Sequence, residues 1–253
     1  MSVFSRLTAR HPPCSSRDDA ELENAASVGT RPPKVKELRR FCDARYTHPM
    51  LPGIVLAAGR SLRFGSPKAL APTGAGTFIS QILKGLSDAG ISERVVVVRE
   101  GDDELVETLT KTLPGVRTVP NPNSDRGQLS SLLVGLEAVD GPEIAGVLVM
   151  LVDMPLVTAS TIRRLVDAAS SSSAAVIRAS YGGRHGHPVV FKRAAFDALR
   201  RADPAVGAKA VVHALTTEDV QVDDRGVLED IDTREDYQRL FGDQPSRGRR
   251  DPQ

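Results

Sequence analysis

Apolar positions along this chain follow two alternating periods, and this pattern begins only near residue 50. Short runs rich in β-branched residues, such as Arg94 to Arg99, carry no charge in their interior and predict buried strands. The segments between them place apolar residues three and four positions apart, which predicts helices that bury one face. Strands alternating with helices favour a mostly parallel sheet covered on both faces, so the pattern predicts an α/β fold.

The same pattern gives approximate bounds for the elements. The predicted strands cover residues 54–57, 94–99, 116–119 and 146–152. The predicted helices run from a cap at Thr77 to a glycine stop near Gly90, then over 102–112, 129–139 and 161–169, with a last short helix from a cap at Thr233 to Leu240.

The first strand runs directly into a basic loop that contains glycine. Ala57 to Gly59 are small enough for a ligand to approach the backbone, and Arg60, Arg63 and Lys68 place three cations within nine residues. Neither the Walker A spacing nor the dinucleotide fingerprint occurs in this segment. The loop therefore predicts a phosphate-binding turn of another kind.

A second candidate is Asp153, which follows the most apolar strand of the chain. Ligands of open α/β sheets gather at the carboxyl ends of the strands, so this carboxylate lies where chemistry is expected. An ordinary turn aspartate is the alternative, since Pro155 follows and Thr158 can cap the next helix.

Two further segments carry polar groups. Residues 181–191 are predicted as a glycine-rich loop that delivers His185 and His187 before a short strand; no cysteine or Glu-x-x-His partner accompanies them, so a pocket-shaping role is favoured over zinc. Ser130 and Ser131 open a predicted helix, where free N–H groups suit a polar or anionic ligand, or they simply occupy its first turn.

Composition narrows the classes of partner. The chain has 33 basic and 32 acidic residues, a net charge of +1 and 4% aromatic residues, which gives no global case for nucleic acid binding. Two cysteines form neither a disulfide framework nor a metal-ligand array, which favours a reducing, cytoplasmic location. No apolar run reaches the roughly 18 residues of a membrane span, so we expect no membrane partner.

The chain is expected to divide into three parts. Residues 1–50 offer charge and proline but little periodic hydrophobicity, so we expect a disordered extension there, a single domain over 51–241 and a disordered tail over 242–253. Met50 stands four residues before the first strand and is a candidate for the natural start, which N-terminal sequencing of protein from the native host would test.

Taken together, the motifs resemble those of the MobA-like nucleotidyltransferases. The basic loop reads Leu-Ala-Ala-Gly-x-Ser-x-Arg-x-Gly-x-x-Lys, Asp153 looks like the Asp-x-Pro magnesium site of that family, and residues 230–237 resemble its Asp-Ile-Asp-Thr-Pro-Glu-Asp-Tyr ending. Gly186-His187-Pro188 resembles a segment of the branch that cytidylylates molybdenum cofactor.

The resemblance implies a three-layer α/β/α Rossmann-like nucleotidyltransferase fold and a set of roles. Arg63 and Lys68 would be catalytic, and Mg²⁺ would bind Asp153 and Asp230, with Asp232 as the alternative second carboxylate. The acceptor would bind Gly186, His187 and Pro188. The nucleotide would be held by Leu56, Ala57, Ala58, Gly59, Ser61, Arg63, Lys68 and Ser130.

The implied reaction is transfer of CMP from CTP to the phosphate of molybdopterin, with release of pyrophosphate and with molybdenum hydroxylases as clients. Guanylyl transfer and cytidylyl transfer to a sugar or methylerythritol phosphate remain alternatives. Departures from the family pattern at Gln128, Pro204 and Arg234 leave open a non-catalytic carrier of molybdenum cofactor. A nicotinamide-dependent oxidoreductase is disfavoured, because no acidic residue lies about 20 positions after the glycines.

Overall fold

The computed structural model describes residues 50–242 of the chain. The predictions of disorder over 1–50 and 242–253 lie outside the described residues, apart from Met50 and Gly242 themselves. Within the described part, none of the helices combines the length and apolar character that crossing a bilayer requires.

A seven-stranded sheet forms the centre of the molecule. Its strands are β1 (Gly53–Leu56), β4 (Arg94–Arg99), β5 (Arg117–Asn121), β6 (Gly146–Leu151), β7 (Val176–Tyr181), β8 (Arg184–Lys192) and β9 (Thr217–Gln221), while β2 (Pro72–Thr73) and β3 (Gly76–Thr77) pair separately. The spatial order is β5-β4-β1-β6-β8-β7-β9. Only β8 runs antiparallel to its neighbours, so the predicted mostly parallel sheet is confirmed.

The helices begin largely where the cap residues predict. Thr77, Asp102, Thr158 and Thr233 each accept a hydrogen bond from a backbone N–H in the first turn of the helix that follows. The helices are α1 (Phe78–Asp88), α2 (Asp103–Thr112), α3 (Gln128–Val139), α4 (Ala159–Ser171), α5 (Phe196–Arg201), α6 (Ala208–Ala214) and α7 (Arg234–Phe241).

Two apolar clusters cover opposite faces of the sheet. Successive residues of β1 point to opposite sides, so Val55 joins α1, α2 and α4 on one face while Ile54 joins α3, α5 and α6 on the other. Full burial of each such side chain contributes roughly 1.5–3 kcal/mol, which ties both helix layers to the sheet. The predicted three-layer α/β/α fold is therefore confirmed.

One predicted loop is wrong. Residues 184–188 belong to β8, which pairs with β7 through Tyr181↔Arg184 and Ser180↔His185 around a turn where Gly182 and Gly183 have φ of 56° and 76°. Residues 184–187 are polar or glycine and show no alternation of apolar residues, so the sequence does not predict a strand there. Tertiary hydrogen bonding, rather than local hydrophobicity, makes it a strand.

Smaller differences concern bounds and short elements. Strand β1 ends at Leu56 rather than Ala57, β5 lies at Arg117–Asn121 rather than 116–119, and α4 starts at Ala159. Helices α5 and α6 and strand β9 have too few residues for a clear period and were not predicted.

Two glycines in helices offer a matched test of the packing. A Cβ at Gly135 in α3 would lie 2.5 Å from Ile54 Cγ2, whereas one at Gly85 in α1 would lie 3.6 Å from Ile162 Cδ1. We expect Gly135→Ala to destabilise the protein by about 1–2 kcal/mol, because overpacking against a buried β-branched residue outweighs the gain in helix propensity. Gly85→Ala should instead stabilise it by about 0.5–1 kcal/mol.

Urea unfolding of both variants measures these changes as shifts in the transition midpoint at constant slope. Equal stabilisation by the two substitutions would contradict the close approach of α3 to β1.

Candidate functional site

The candidate site lies where three parallel strands end at the same edge of the sheet. Strand β1 lies between β4 and β6, with Leu56 in register with Val97 and Leu151. The N–H of Val152 donates to the Leu56 carbonyl at 3.2 Å, so the chain leaving β6 starts beside the chain leaving β1. This contact places Asp153 next to the basic loop, here defined as residues 57–67.

The basic loop folds back on itself around Ser61. The Ser61 carbonyl accepts from the N–H groups of Phe64 and Gly65, both at 3.0 Å, and its hydroxyl accepts from the N–H of Lys68 at 3.2 Å. Ser61 adopts a φ of 49°, in the left-handed region that is uncommon for residues other than glycine. No atom lies within 4 Å of where a Cβ of Gly59 would stand, so a ligand can approach the backbone at that point.

The two predicted catalytic cations share one carboxylate. Lys68 is buried, and its Nζ lies 2.8 Å from Asp232 Oδ1 and 3.7 Å from Asp153 Oδ2. Arg63, whose side chain is 73% exposed, places Nη2 2.7 Å from Asp232 Oδ2. The hydrogen bond from Lys68, with added attraction from Arg63, lowers the pKa of Asp232 and keeps it ionised.

Asp153 has a carboxylate oxygen without a partner. Its Oδ1 is buried and accepts no hydrogen bond from any described residue. Burial raises the pKa of Asp153; the Lys68 ammonium opposes this shift, whereas Asp232 and Asp230 add to it. A buried acceptor of this kind calls for a ligand that supplies positive charge, and a hard divalent cation meets that need.

The choice of a second carboxylate depends on which oxygens are free. Both oxygens of Asp232 are engaged by Lys68 and Arg63. The exposed side chain of Asp230 makes no hydrogen bond or ion pair with the described residues, yet its charge acts on Asp153. Asp230 therefore stays the predicted second carboxylate, with Asp232 as the alternative.

Three or more such ligands do not converge anywhere in residues 50–242. A two-carboxylate site of this type leaves the remaining coordination positions to water and phosphate oxygens, as is usual for Mg²⁺.

Sequence reasoning missed a second ion cluster beside the loop. Asp125 lies on a short 3₁₀ turn (Ser124–Arg126); its Oδ1 accepts from Arg60 Nε at 2.9 Å and Arg99 Nη2 at 3.0 Å, and Arg60 also contacts Oδ2. The hydrogen bonds from Arg60 and then Arg99 lower the pKa of Asp125 to about 2. The side chains of Arg60 and Asp125 are more than half exposed, so their pairing adds little to stability, whereas Arg99 is mostly covered and fixes Asp125 beside the loop.

Two adjoining cavities flank the basic loop. The larger, about 720 Å³, lies between the loop and residues 99–102, and the smaller, about 230 Å³, extends towards Gly127, Gln128 and Asp153. Both are lined by Gly59, Ser61, Lys68 and Val152. The larger cavity has the size of a small-molecule site. A ligand that extended from it into the smaller cavity would contact both the loop and Asp153.

Ser130 has a structural contact that its sequence position did not indicate. Its hydroxyl accepts from Asn121 Nδ2 at 2.9 Å and lies 2.9 Å from the carbonyls of Asn123 and Gly127. The Ser131 hydroxyl also accepts from Nδ2 of the fully buried Asn121, at 3.0 Å. Ser131 lines the smaller cavity together with Gln128. Contact of Ser130 with a nucleotide stays a prediction.

A third cavity, about 520 Å³, opens on the other side of Gln128 and Leu56. Gly186 and His187 line it, and Pro188 follows His187 through a cis peptide. Gly186 is required by packing, since a Cβ there would lie 1.7 Å from the Val227 carbonyl oxygen. These residues are thus brought to the edge of a pocket beside the basic loop, although by a strand rather than a loop.

His187 is half-buried in the wall of this third cavity. Its Nδ1 lies 3.5 Å from the carbonyl oxygen of Val149, and burial lowers its pKa to about 4 despite that contact and the nearby charge of Asp230. The ring is therefore neutral at physiological pH and presents its polar atoms to the pocket without a charge.

The C-terminal helix holds the basic loop from outside. Phe64 of the loop packs against Phe78 and meets the ring of Tyr237 edge-on at 5.7 Å, with Phe241 completing the cluster. The Tyr237 hydroxyl donates to the Pro72 carbonyl at 2.8 Å. Helix α7 therefore packs against the basic loop. Asp232, which lies just before this helix, contacts Arg63 of the loop and Lys68 directly after it.

Comparison with known proteins gives one family match. Residues 53–220 match the MobA-like NTP transferase domain. The fold is similar to the crystal structure of Rv0371c from Mycobacterium tuberculosis, with a TM-score of 0.68 and 30% identity over 77% of this chain and 99% of that one. A second structure of Rv0371c, in complex with manganese, has a TM-score of 0.63 and 29% identity over 77% and 100% of the chains.

Among curated proteins, the chain is similar to a probable molybdenum cofactor guanylyltransferase of Bacillus cereus, with 35% identity over 125 residues. That alignment covers 49% of this chain and 60% of the relative, so the similarity spans little more than half of the curated protein.

The lowered pKa of the half-buried His187 predicts a pH-dependent loss of stability. A histidine whose pKa falls from 6.5 to about 4 on folding binds fewer protons in the folded state, so stability decreases as pH falls from about 6.5 towards 4. We expect this group to contribute about 3 kcal/mol to that loss, and His187→Gln to show a correspondingly shallower decrease.

Urea midpoints measured between pH 7.5 and 4.5 for the wild type and His187→Gln check this difference. His213→Gln, which changes an exposed histidine, serves as the matched control and should follow the wild-type profile. Parallel profiles for the wild type and His187→Gln would contradict the assignment.

Proposed function

Since the chain belongs to the MobA-like NTP transferase family, we propose that it transfers a nucleotidyl group from a nucleoside triphosphate to the phosphate of molybdopterin, releasing pyrophosphate. The observation that carries this proposal is the buried Lys68, held between Asp232 and Asp153 beneath a loop whose backbone is open at Gly59. That arrangement offers cations, free backbone and a metal-binding carboxylate to one triphosphate. A cytoplasmic location is part of the proposal.

CTP is the proposed donor. The Ala57-Ala58-Gly59 sequence of the loop and the Gly186-His187-Pro188 segment both resemble the corresponding motifs in the cytidylyl branch of the family. The base would occupy the larger cavity against residues 99–102, where the pocket is bounded by backbone and by polar side chains.

GTP is the second candidate, and a specific observation favours it. The curated relatives of this chain are named molybdenum cofactor guanylyltransferases. The Gly186-His187-Pro188 segment is the main clue that argues for CTP, and the loop adds a single alanine, so the assay below compares the two donors directly.

The acceptor is proposed to lie in the third cavity. This pocket adjoins the smaller nucleotide cavity through Leu56 and Gln128, and Lys209 in its lining can attract a phosphate. The half-buried, uncharged His187 offers hydrogen bonds to a neutral polar ring system such as a pterin. Molybdenum hydroxylases are the proposed clients of the product.

Asp153 and Asp230 are proposed to hold Mg²⁺. The fit rests on the unpartnered buried oxygen of Asp153 and the unengaged carboxylate of Asp230. A related crystal structure contains manganese, which prefers similar oxygen ligands. When bound, such an ion neutralises phosphate charge and orients the triphosphate.

The protein's own contribution to the reaction is positioning and charge stabilisation. Arg63 and Lys68 now donate to Asp232, so the incoming phosphates compete with Asp232 for donors that are already gathered at one point. The acceptor phosphate attacks the α-phosphorus in line with the departing pyrophosphate, and Lys68 stabilises the charge that develops. No side-chain nucleophile is needed.

Replacing Lys68 should affect chemistry more than binding. We expect Lys68→Ala to lower kcat by about 10²–10³-fold with a smaller change in the KM for nucleotide, because the ammonium acts on charge that develops in the transition state. Steady-state pyrophosphate release measures both constants. Lys111→Ala, at an exposed position on α2, is the control; similar losses in the two variants would remove Lys68 from the mechanism.

Replacing Asp153 should remove the metal dependence. We expect Asp153→Ala to show low activity that no longer rises with Mg²⁺ or Mn²⁺ up to millimolar concentrations, because the buried carboxylate is lost. Metal titrations of turnover check this, with Asp167→Ala on the exposed side of α4 as the control. A normal metal titration in Asp153→Ala would contradict the assignment.

The proposed reaction is tested by pyrophosphate release with Mg²⁺ and molybdenum cofactor, comparing CTP, GTP, ATP and UTP. CTP-dependent release supports the main proposal, and GTP preference supports the second candidate. Binding of the pterin without consumption of any triphosphate, in folded protein, would instead identify a non-catalytic carrier.

A further inference from the structure

A separate cavity of about 550 Å³ lies away from the nucleotide and acceptor pockets and shares no lining residue with them. Its wall is mostly polar and contains three arginines from three different segments of the chain. The lining consists of Tyr181, Gly182, Arg184, Arg225, Leu228, Glu229 and Arg239, and is here called the arginine pocket.

The charges of the arginine pocket do not balance. Three guanidinium groups and one carboxylate line it, and Asp236 beside it pairs with Arg239, which leaves an excess of one positive charge. Glu229 is nearly buried and is shared, with Oε1 2.6 Å from Arg225 Nε and Oε2 3.3 Å from Arg239 Nη1. Asp236 takes one further bond from Arg239 at 3.3 Å, and the guanidinium of Arg184 has no partner among the described residues.

Rigid elements hold Arg184 and Arg225 in place. Arg184 follows the tight turn at Gly182 and Gly183 and pairs with Tyr181 across the hairpin. Arg225 begins a 3₁₀ turn (Arg225–Leu228) capped by Asp224, whose carboxylate also accepts from the N–H of Thr158 at 2.9 Å.

The same 3₁₀ turn packs closely against the backbone that follows β6. A Cβ at Gly226 would lie 2.6 Å from the Leu156 carbonyl oxygen, so the backbone there is in close contact with the chain that follows β6. Glu229 offsets the repulsion between Arg225 and Arg239, whereas the charge of Arg184 is left without a carboxylate among the described residues.

The chemistry of the wall selects the kind of anion. Each guanidinium carries five N–H donors in a planar fork, and Glu229 uses only a few of those on Arg225 and Arg239. Forked donors from several sides match an oxyanion with three or more oxygens, and the unpaired Arg184 supplies the free positive charge. We propose that the arginine pocket binds a phosphate group, as inorganic phosphate or as a phosphate monoester.

This site is independent of the nucleotide transfer proposed above. A local readout keeps the two apart, because the nucleotide site also attracts phosphate. The amide resonances of Gly182 and Gly183 report on the arginine pocket, and that of Gly59 reports on the basic loop. ¹⁵N-labelled full-length protein would be titrated, without added metal, with inorganic phosphate, glycerol 3-phosphate and acetate.

We expect saturable shifts of the Gly182 and Gly183 amides with both phosphates, and a Kd at least about tenfold higher in Arg184→Gln than in the wild type. Arg184 has no side-chain partner among the described residues, so its replacement breaks no internal contact. Arg201→Gln removes an exposed charge elsewhere and should leave the Kd unchanged. Arg225→Gln provides a second variant if Arg184→Gln disturbs the hairpin.

Tighter binding of glycerol 3-phosphate would identify the natural ligand as an organic phosphate, and tighter binding of inorganic phosphate would identify the free ion. Either result supports the site. Non-saturating shifts, equal affinity for acetate, or an unchanged Kd in both arginine variants would overturn it, whatever happens at Gly59.

Discussion

The candidate site depends on one backbone contact between distant parts of the chain. The N–H of Ile231 donates to the carbonyl of Asp153 at 2.9 Å, which brings the C-terminal segment against the end of β6. Because Asp230 and Asp232 flank Ile231, this single bond places both carboxylates beside Asp153. Gly226 and Gly186 permit the approach, since a side chain at either position would collide with backbone.

The second constraint is electrostatic. A buried lysine is costly unless its charge is paired, and Lys68 meets this need with Asp232 at 2.8 Å and Asp153 at 3.7 Å. The pairing holds Lys68 and Arg63 near the end of the basic loop before any ligand arrives. Preorganised donors of this kind need little rearrangement when a phosphate enters, which is the property that stabilises charge in a transition state.

The position of the cavities relates the proposed donor and acceptor. The two cavities that flank the basic loop share its residues, and the third cavity meets the smaller one at Leu56 and Gln128. Gln128 is one of the positions at which this sequence departs from the family pattern. It begins α3 and lines both of these cavities, where the proposed nucleotide and acceptor would come closest. The aromatic cluster around Phe64 and Tyr237 supports this arrangement by packing the loop against α7.

The sequence by itself determined the elements whose signals are local. Strand periodicity, helix caps at Thr77 and Thr233, and the position of Asp153 after an apolar run were all readable, because neighbours within a few residues decide them. Tertiary structure alone decided the direction of β8, the Arg99–Asp125 contact and the choice of Asp232 as partner of Lys68, which lies 164 residues away. Such contacts depend on how distant segments pack, and no local period encodes them.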